Sequence, residues 1–260
     1  MTIIEALILG LIQGLTEFLP VSSSGHLELG NAILNIQAKE NLTFAITVHG
    51  ATVLSTIVVF YKDLQQLFAG FFRFKWNEET MYVSKLLFSM IPVLIIGAFF
   101  KDEIESFFTG NLLLVGSALL VTALLLAFTY FAKERTKNIS FLHAFIIGIA
   151  QALAVIPGIS RSGATISTGL ILGNKKKYIA KFSFLMVLIP IIGANIIELL
   201  DYDPDVGHTI GAMPLIAGFI MAFVSGLLAC RWMIRLVKKG KLIYFAIYCL
   251  AVGLIAIFVA

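Results

Sequence analysis

The sequence predicts an all-α polytopic membrane protein organised as an inverted-topology repeat. Each half is expected to be a re-entrant helical hairpin followed by three transmembrane helices, ten helical segments in all. Three observations carry this reading. Of the 260 residues 59% are hydrophobic and 13% charged, with a mean hydropathy of +0.97, whereas an ordinary soluble domain is about 25% charged. Two polar stretches break the apolar sequence about 138 residues apart: Gln13-Gly-Leu-Thr-Glu17-Phe-Leu-Pro20-Val-Ser22-Ser23-Ser24-Gly25-His26 and Gln151-Ala-Leu-Ala-Val-Ile-Pro157-Gly-Ile-Ser160-Arg161-Ser162-Gly163. The basic residues fall on one side of the membrane once each broken stretch is folded back on itself.

A spanning helix needs about 20 apolar residues. Stretches near Leu42 to Tyr61, Met81 to Phe100, Leu112 to Phe131, Tyr178 to Leu200, Ile210 to Arg231 and Leu242 to Val259 meet that length. The remaining apolar segments come in pairs, Ile3 to Leu19 with Gly25 to Ile36, and Phe141 to Ile156 with Gly163 to Leu172. In each pair Pro and Gly divide the arms and the second arm is too short to cross, which defines a hairpin entering and leaving on one face. Ile3 to Leu19 has the length of a signal-peptide core. It carries Glu5, lacks a basic leader and offers no small-residue cleavage site, so it reads as part of the mature chain.

With both hairpins returning, the segments around 62 to 80, 133 to 138, 174 to 177 and 232 to 241 share a face. All the Lys and Arg residues lie there except Lys39, Lys101 and Arg161. The other face holds Asp102, Glu103, Glu105, Asp201, Asp203 and Asp205. By the positive-inside rule the basic face is cytoplasmic, and both termini and the mouth of the first hairpin are outside. Lys175-Lys176-Lys177 reads as a topology anchor against anionic headgroups. The net charge of +4 therefore reports topology, and nucleic-acid binding is disfavoured. Cys230 and Cys249 have neither metal-ligand nor disulfide-framework spacing and read as lipid-facing or packing residues.

Three spans separate the hairpins, an odd number, so the second half (about 139–260) is inverted relative to the first (about 1–138) within one membrane domain, 1–260. At an offset of 138, Ala6, Ile8, Gly10, Gln13, Leu15, Ser22, Ser24 and Gly25 align with Ala144, Ile146, Gly148, Gln151, Leu153, Ser160, Ser162 and Gly163. Inverted repeats with broken helices converge on a site near the midplane, where irregular backbone must line protein or a water-filled cavity.

Both breaks end in serines suited to N-capping a new helix, whose N-terminus favours phosphate. Ser22, Ser24, Gly25, Ser160, Ser162 and Gly163 are thus candidate substrate-binding residues, with Arg161 offering a planar fork for two phosphate oxygens. An ionised residue at membrane depth costs about 2.5 to 3.5 kcal/mol on insertion scales, which marks Glu17 and Arg161 as functional candidates. The alternative for that pair is a structural ion pair. Gln13 and Glu17, one helical turn apart, could jointly hold a hydrated divalent cation. For Gln13 an interhelical hydrogen bond is an equally good reading. His26 lies one step past the serines and suits a general base or a nucleophile, with Ser23 needing such a base. His49, His143 and His208 read as structural or interfacial, and Glu28 and Glu198 as solvated.

At these motifs the chain resembles the bacterial undecaprenyl-diphosphate phosphatase family of the bacitracin-resistance type, including the Met90-Ile-Pro92 and Phe182-Ser-Phe184 segments. The resemblance implies catalytic roles for Glu17, Ser23, His26 and Arg161, and a divalent cation, magnesium or calcium, on Glu17. Some members have Glu where this chain has Gln13, which weakens position 13 as a metal ligand. The implied reaction removes the terminal phosphate of a polyprenyl diphosphate lipid in the bacterial inner membrane, recycling the carrier for cell-wall synthesis. The expected arrangement has a site open to the extracytoplasmic side; a homodimer is compatible with it. The competing expectation is a transporter that flips the polyprenyl phosphate carrier, which needs the anion pocket without an aligned Glu, Ser and His. A weaker one is a non-catalytic lipid-binding scaffold.

Overall fold

The structure, a computed structural model, describes residues 1–34, 36, 38–100, 103–104, 107, 111–132, 137–200 and 210–260, with 38–42 and 198–200 as backbone alone. The calls on Gln37, Lys101, Asp102, Glu105, Lys133, Glu134, Arg135, Asp201, Asp203, Asp205 and His208 lie outside the described residues, as do the side chains of Lys39 and Glu198. Twelve helices are present among the described residues. They are α1 (Ile3–Thr16), α2 (Ser23–Leu34), α3 (Ala38–Val59), α4 (Tyr61–Phe71), α5 (Glu78–Phe99), α6 (Leu112–Phe131), α7 (Phe141–Leu153), α8 (Arg161–Ile171), α9 (Lys176–Met186), α10 (Leu188–Leu200), α11 (Ala212–Lys239) and α12 (Ile243–Val259).

Two of these were not expected as separate elements. The first expected span bends by 75° at Phe60 and continues as α4 across a stretch read as loop. Its sequence, Tyr-Lys-Asp-Leu-Gln-Gln-Leu-Phe-Ala-Gly-Phe, buries Leu67 and Gly70 while leaving Lys62 and Asp63 on another face, so it is too polar to continue inward. The span expected from Tyr178 breaks at Val187 between α9 and α10. Pro190 lacks an N–H and its ring crowds the carbonyl four residues back, that of Met186, where α9 ends. The stretch 232 to 241, expected as loop, is mostly helix. Here α11 runs to Lys239 and stops only at Gly240, whose φ of 68° suits a residue without a Cβ.

Among the described residues four helical segments are long and apolar enough to cross a membrane: Glu78–Phe99, Leu112–Phe131, Lys176–Ile197 and Ala212–Lys239. The bent pair Thr43–Val59 and Tyr61–Phe71 makes a fifth if counted as one span. Outward-facing Leu94, Leu124, Phe128, Leu228 and Ile255 are exposed, as apolar side chains facing lipid are. The two hairpins differ from these spans. At about 1.5 Å per residue α1, α2, α7 and α8 run roughly 17 to 21 Å, short of the ~30 Å hydrocarbon core. Each pair is packed arm against arm, α1 on α2 and α7 on α8, and is clasped by long helices, α1 by α11 and α7 by α5. The core between them includes Phe18 edge-on to Phe184 at 5.8 Å and Phe60 tilted against the same ring at 6.2 Å. Cys230 and Cys249 are free and fully buried, hence packing residues rather than lipid-facing ones.

Backbone at the breaks is satisfied by neighbouring helices. Thr122 of α6 donates to the carbonyl of Gly158 at 3.1 Å and accepts from the N–H of Ser160 at 3.0 Å. Cys249 of α12 lies 3.6 Å from the carbonyl of Pro20. Both Thr122 groups are buried, so Thr122→Val leaves a donor and an acceptor without partners. That costs about 1 to 3 kcal/mol, and is expected as a lowered thermal midpoint in detergent, whereas Ser117→Ala, an exposed change on the same helix, should leave the midpoint in place.

Candidate active site

The first hairpin is built to end at Glu17. Thr2 and Glu5 close a capping box on α1, with Glu5 N–H donating to Thr2 Oγ1 at 3.3 Å and Thr2 N–H to Glu5 Oε2 at 2.6 Å. The helix stops at Thr16, Glu17 is its C-cap, and Pro20 has no N–H with which to continue it. Ser22 takes a φ of 69°, a left-handed conformation uncommon outside glycine. From there its hydroxyl accepts from the Gly25 N–H at 3.3 Å as α2 begins.

The second hairpin repeats these devices. Ser140 caps α7 by accepting from the His143 N–H at 3.1 Å. The chain turns at Gly158, φ 95°, where a Cβ would meet the Val115 carbonyl oxygen at 2.5 Å. Ser160 then caps α8 by accepting from the Gly163 N–H at 3.0 Å. Within each serine turn the outer hydroxyls pair at the same distance, Ser22 with Ser24 at 3.3 Å and Ser160 with Ser162 at 3.3 Å. Capping occupies the Gly25 and Gly163 N–H groups, so those two residues shape the turns and present no free donor.

The breaks abut. Ser162 donates to the Leu19 carbonyl at 3.2 Å, and a Cβ on Gly163 would stand 3.4 Å from Pro20. Across this junction Arg161 Nη2 donates to Glu17 Oε1 at 2.9 Å. The other carboxylate oxygen, Oε2, accepts from Ser23 Oγ at 2.6 Å and from Gln13 Nε2 at 3.0 Å. Glu17 is nearly closed off, its side chain 8% exposed, while Arg161 keeps 28%. Two clefts meet at this pair. One is lined by Thr16, Glu17, the three serines of the first turn and Ile159 to Ser162. The other is lined by Glu17, Arg161, Thr52, Thr56 and Gln151 and by apolar Phe184, Leu188 and Ile191. One cleft is thus mainly polar, and the other passes from polar side chains to apolar ones.

The sequence of the chain matches the model of the family described as bacitracin resistance protein BacA over residues 6–255. It belongs to the BacA family. An undecaprenyl-diphosphatase of Bacteroides fragilis is 58% identical over 259 residues, covering 98% of this chain and 97% of that protein. The undecaprenyl-diphosphatase of Parabacteroides distasonis is 57% identical over 97% of this chain and 96% of its own length. One from Methanosphaera stadtmanae is 38% identical over 98% and 97%.

In this BacA family chain Glu17, Ser23 and Arg161 converge, together with Gln13, Ser22, Ser24, Ser160 and Ser162. His26 is engaged on both ring nitrogens. Its Nδ1 is 2.8 Å from the Ser22 carbonyl, which makes it the donor there, and its Nε2 is 2.8 Å from the Tyr248 hydroxyl, with the two rings stacked at 5.6 Å. His143 bonds Asn174 at 2.9 Å, a structural role as expected. His49 departs from expectation: its Nε2 stands 3.9 Å from Glu17 Oε2. Spacing held the missed signal, because His49, Thr52 and Thr56 form an i, i+3, i+7 polar stripe along an apolar helix. Among the described residues no three His, Cys, Asp or Glu side chains cluster as a metal site. A cation at Glu17 would need amide or hydroxyl oxygens as well, and one fits: Gln13 Oε1 is buried without a hydrogen-bond partner.

Because each member of the buried pair offsets the other, single removals should cost more than removing both. Arg161→Ala is expected to lower stability by about 3 kcal/mol, and Glu17→Gln with Arg161→Gln together by less than either alone. Thermal unfolding of the purified variants in one detergent measures the coupling; strictly additive losses would contradict it.

Proposed function

We propose that the chain is an integral membrane phosphatase that hydrolyses undecaprenyl diphosphate to undecaprenyl phosphate and inorganic phosphate at the junction of the two breaks. The observation carrying this reading is the Ser23 hydroxyl held 2.6 Å from Glu17 while Glu17 is held by Arg161 of the other hairpin. Nucleophile, base and phosphate-binding cation stand in one chamber, and relatives as similar as 58% are named for this reaction. Nothing observed favours a flippase over it.

Arg161 and the hydroxyls of Ser22, Ser24, Ser160 and Ser162 bind the diphosphate, and the apolar side chains Phe184, Leu188 and Ile191 take the first part of the prenyl chain. Ser23 Oγ attacks the terminal phosphorus as its proton passes to Glu17, and the bond from that phosphorus to the bridging oxygen breaks, releasing the lipid monophosphate. Water then attacks the phosphoserine, phosphate leaves, and Glu17 returns the proton to Ser23. Glu17, rather than the expected His26, is the base here because it already accepts the Ser23 proton, whereas His26 fixes the Ser22 carbonyl behind the turn. A divalent cation, magnesium or calcium, held by Glu17 and the unpartnered Gln13 oxygen would offset charge on the phosphate oxygens.

The same reading includes an inverted repeat. Gly10 approaches the backbone of Gly218 in α11, and Gly148, its counterpart at offset 138, approaches that of Ser89 in α5. Thr122 reaches Gly158, and Cys249 reaches Pro20. These reciprocal contacts support two halves that clasp each other's hairpins. The charge pattern supports cytoplasmic basic ends, termini outside and a site open to the extracytoplasmic side of the inner membrane.

Purified protein in detergent should release phosphate from a polyprenyl diphosphate, with loss in chelator. Ser23→Ala should lower kcat on the order of a thousandfold, and Arg161→Ala about a hundredfold with raised KM. Acid-stable phosphate on quenched enzyme marks phosphoserine; alkali-stable phosphate on His26 would overturn the assignment. For orientation, a cysteine at Asp203 should label from outside intact cells, and labelling only from the cytoplasmic side would reverse it.

A further inference from the structure

We infer that His49 is a nitrogen ligand of the divalent cation held at Glu17, so that this chain's metal site combines one carboxylate, one imidazole and one amide oxygen. The inference rests on the cation reading above and adds a ligand to it. His49 sits in α3, the long helix packed against α11, and its Nε2 lies nearest Glu17 Oε2, the carboxylate oxygen that Arg161 does not hold. Its Nδ1 is 2.8 Å from the Ala45 carbonyl, and since a carbonyl only accepts, Nδ1 carries the hydrogen. The lone pair of the neutral ring is therefore on Nε2, the nitrogen aimed at Glu17. A backbone carbonyl fixing the far nitrogen is how metal-binding histidines are commonly oriented.

The 3.9 Å from Nε2 to Glu17 Oε2 is too long for a hydrogen bond. It does fit a shared ion, since bonds of about 2.1 Å to nitrogen and oxygen let one ion touch atoms up to roughly 4.2 Å apart. A carboxylate offers about four acceptor positions, two on each oxygen; those on Oε2 are held by Ser23 and Gln13, so the ion takes the position that Gln13 Nε2 gives up. Gln13 supplies the third donor: its Oε1 is buried without a partner, and half a turn of the amide brings that oxygen to the side its nitrogen now occupies. The consequence is selectivity. Oxygen-only sites suit magnesium and calcium, whereas an imidazole moves preference toward manganese, cobalt or zinc.

Manganese(II) alone, added to the purified protein in detergent, tests this by pulsed electron paramagnetic resonance, which detects nitrogen bonded to the ion. Wild type should show imidazole nitrogen coupling, His26→Gln should retain it, and His49→Gln should lose it with manganese affinity reduced roughly tenfold or more. If His49→Gln does not fold, a chain with His26, His143 and His208 all changed to Gln keeps the question open to measurement, since His49 is then the sole histidine. Bound manganese without nitrogen coupling, released by Glu17→Gln, overturns the His49 assignment and leaves the Glu17 cation intact. Manganese that does not bind, or binds equally to Glu17→Gln, overturns both.

Discussion

One carboxylate holds the two hairpins in register. Glu17 ends α1, and around it converge an arginine from the start of α8, a serine from the start of α2 and an amide from one turn earlier in its own helix. Burying that charge away from water is costly unless every lone pair finds a donor, so the break after Thr16 and the break before Arg161 must meet at one depth. The short arms, the glycine at 158 and the serine caps follow from that requirement. They let two chain reversals touch at Pro20, Gly163 and Ser162, where ordinary side chains and continuous helices would hold them apart.

The two turns share their chemistry of capping but not their charges. Ser22 and Ser160 accept from Gly25 and Gly163 in the same way, and the hydroxyl pairs on either side match in length. Yet Glu17 has Val155 as its counterpart at the 138-residue offset, and Arg161 faces Ser23 in the same alignment. Like backbone frames thus carry unlike side chains, which puts a carboxylate and Ser23 on one and a guanidinium on the other.

Much of this was legible in the residues. Pro20, Pro157 and the following serines mark both breaks, and the cost of placing an acid and an arginine in apolar surroundings marks them as candidates. Less legible was anything requiring distant partners. His26 follows the serines directly, whereas Tyr248, which engages it, is 222 residues away and nothing local announces it. The break at Val187 had a readable cause in Pro190, displaced one turn from its effect. His49 was passed over because it stands in a continuous helix instead of a broken one, although its polar stripe with Thr52 and Thr56 obeys the same logic that singled out Glu17.

The contact between Cys249 and the Pro20 carbonyl, together with the packing of α1 on α11, bears on the order in which the molecule can be made. The first hairpin leaves the ribosome well before α11 and α12, the helices that clasp it and shield its open backbone. Until they arrive, the carbonyls and hydroxyls between Glu17 and Ser24 lack their final neighbours in a medium that offers few substitutes. The first turn therefore reaches its final packing only after α11 and α12 have inserted. A polypeptide truncated before its closing helix would retain every residue of the Glu17 cluster and still lack the wall that keeps the first turn closed.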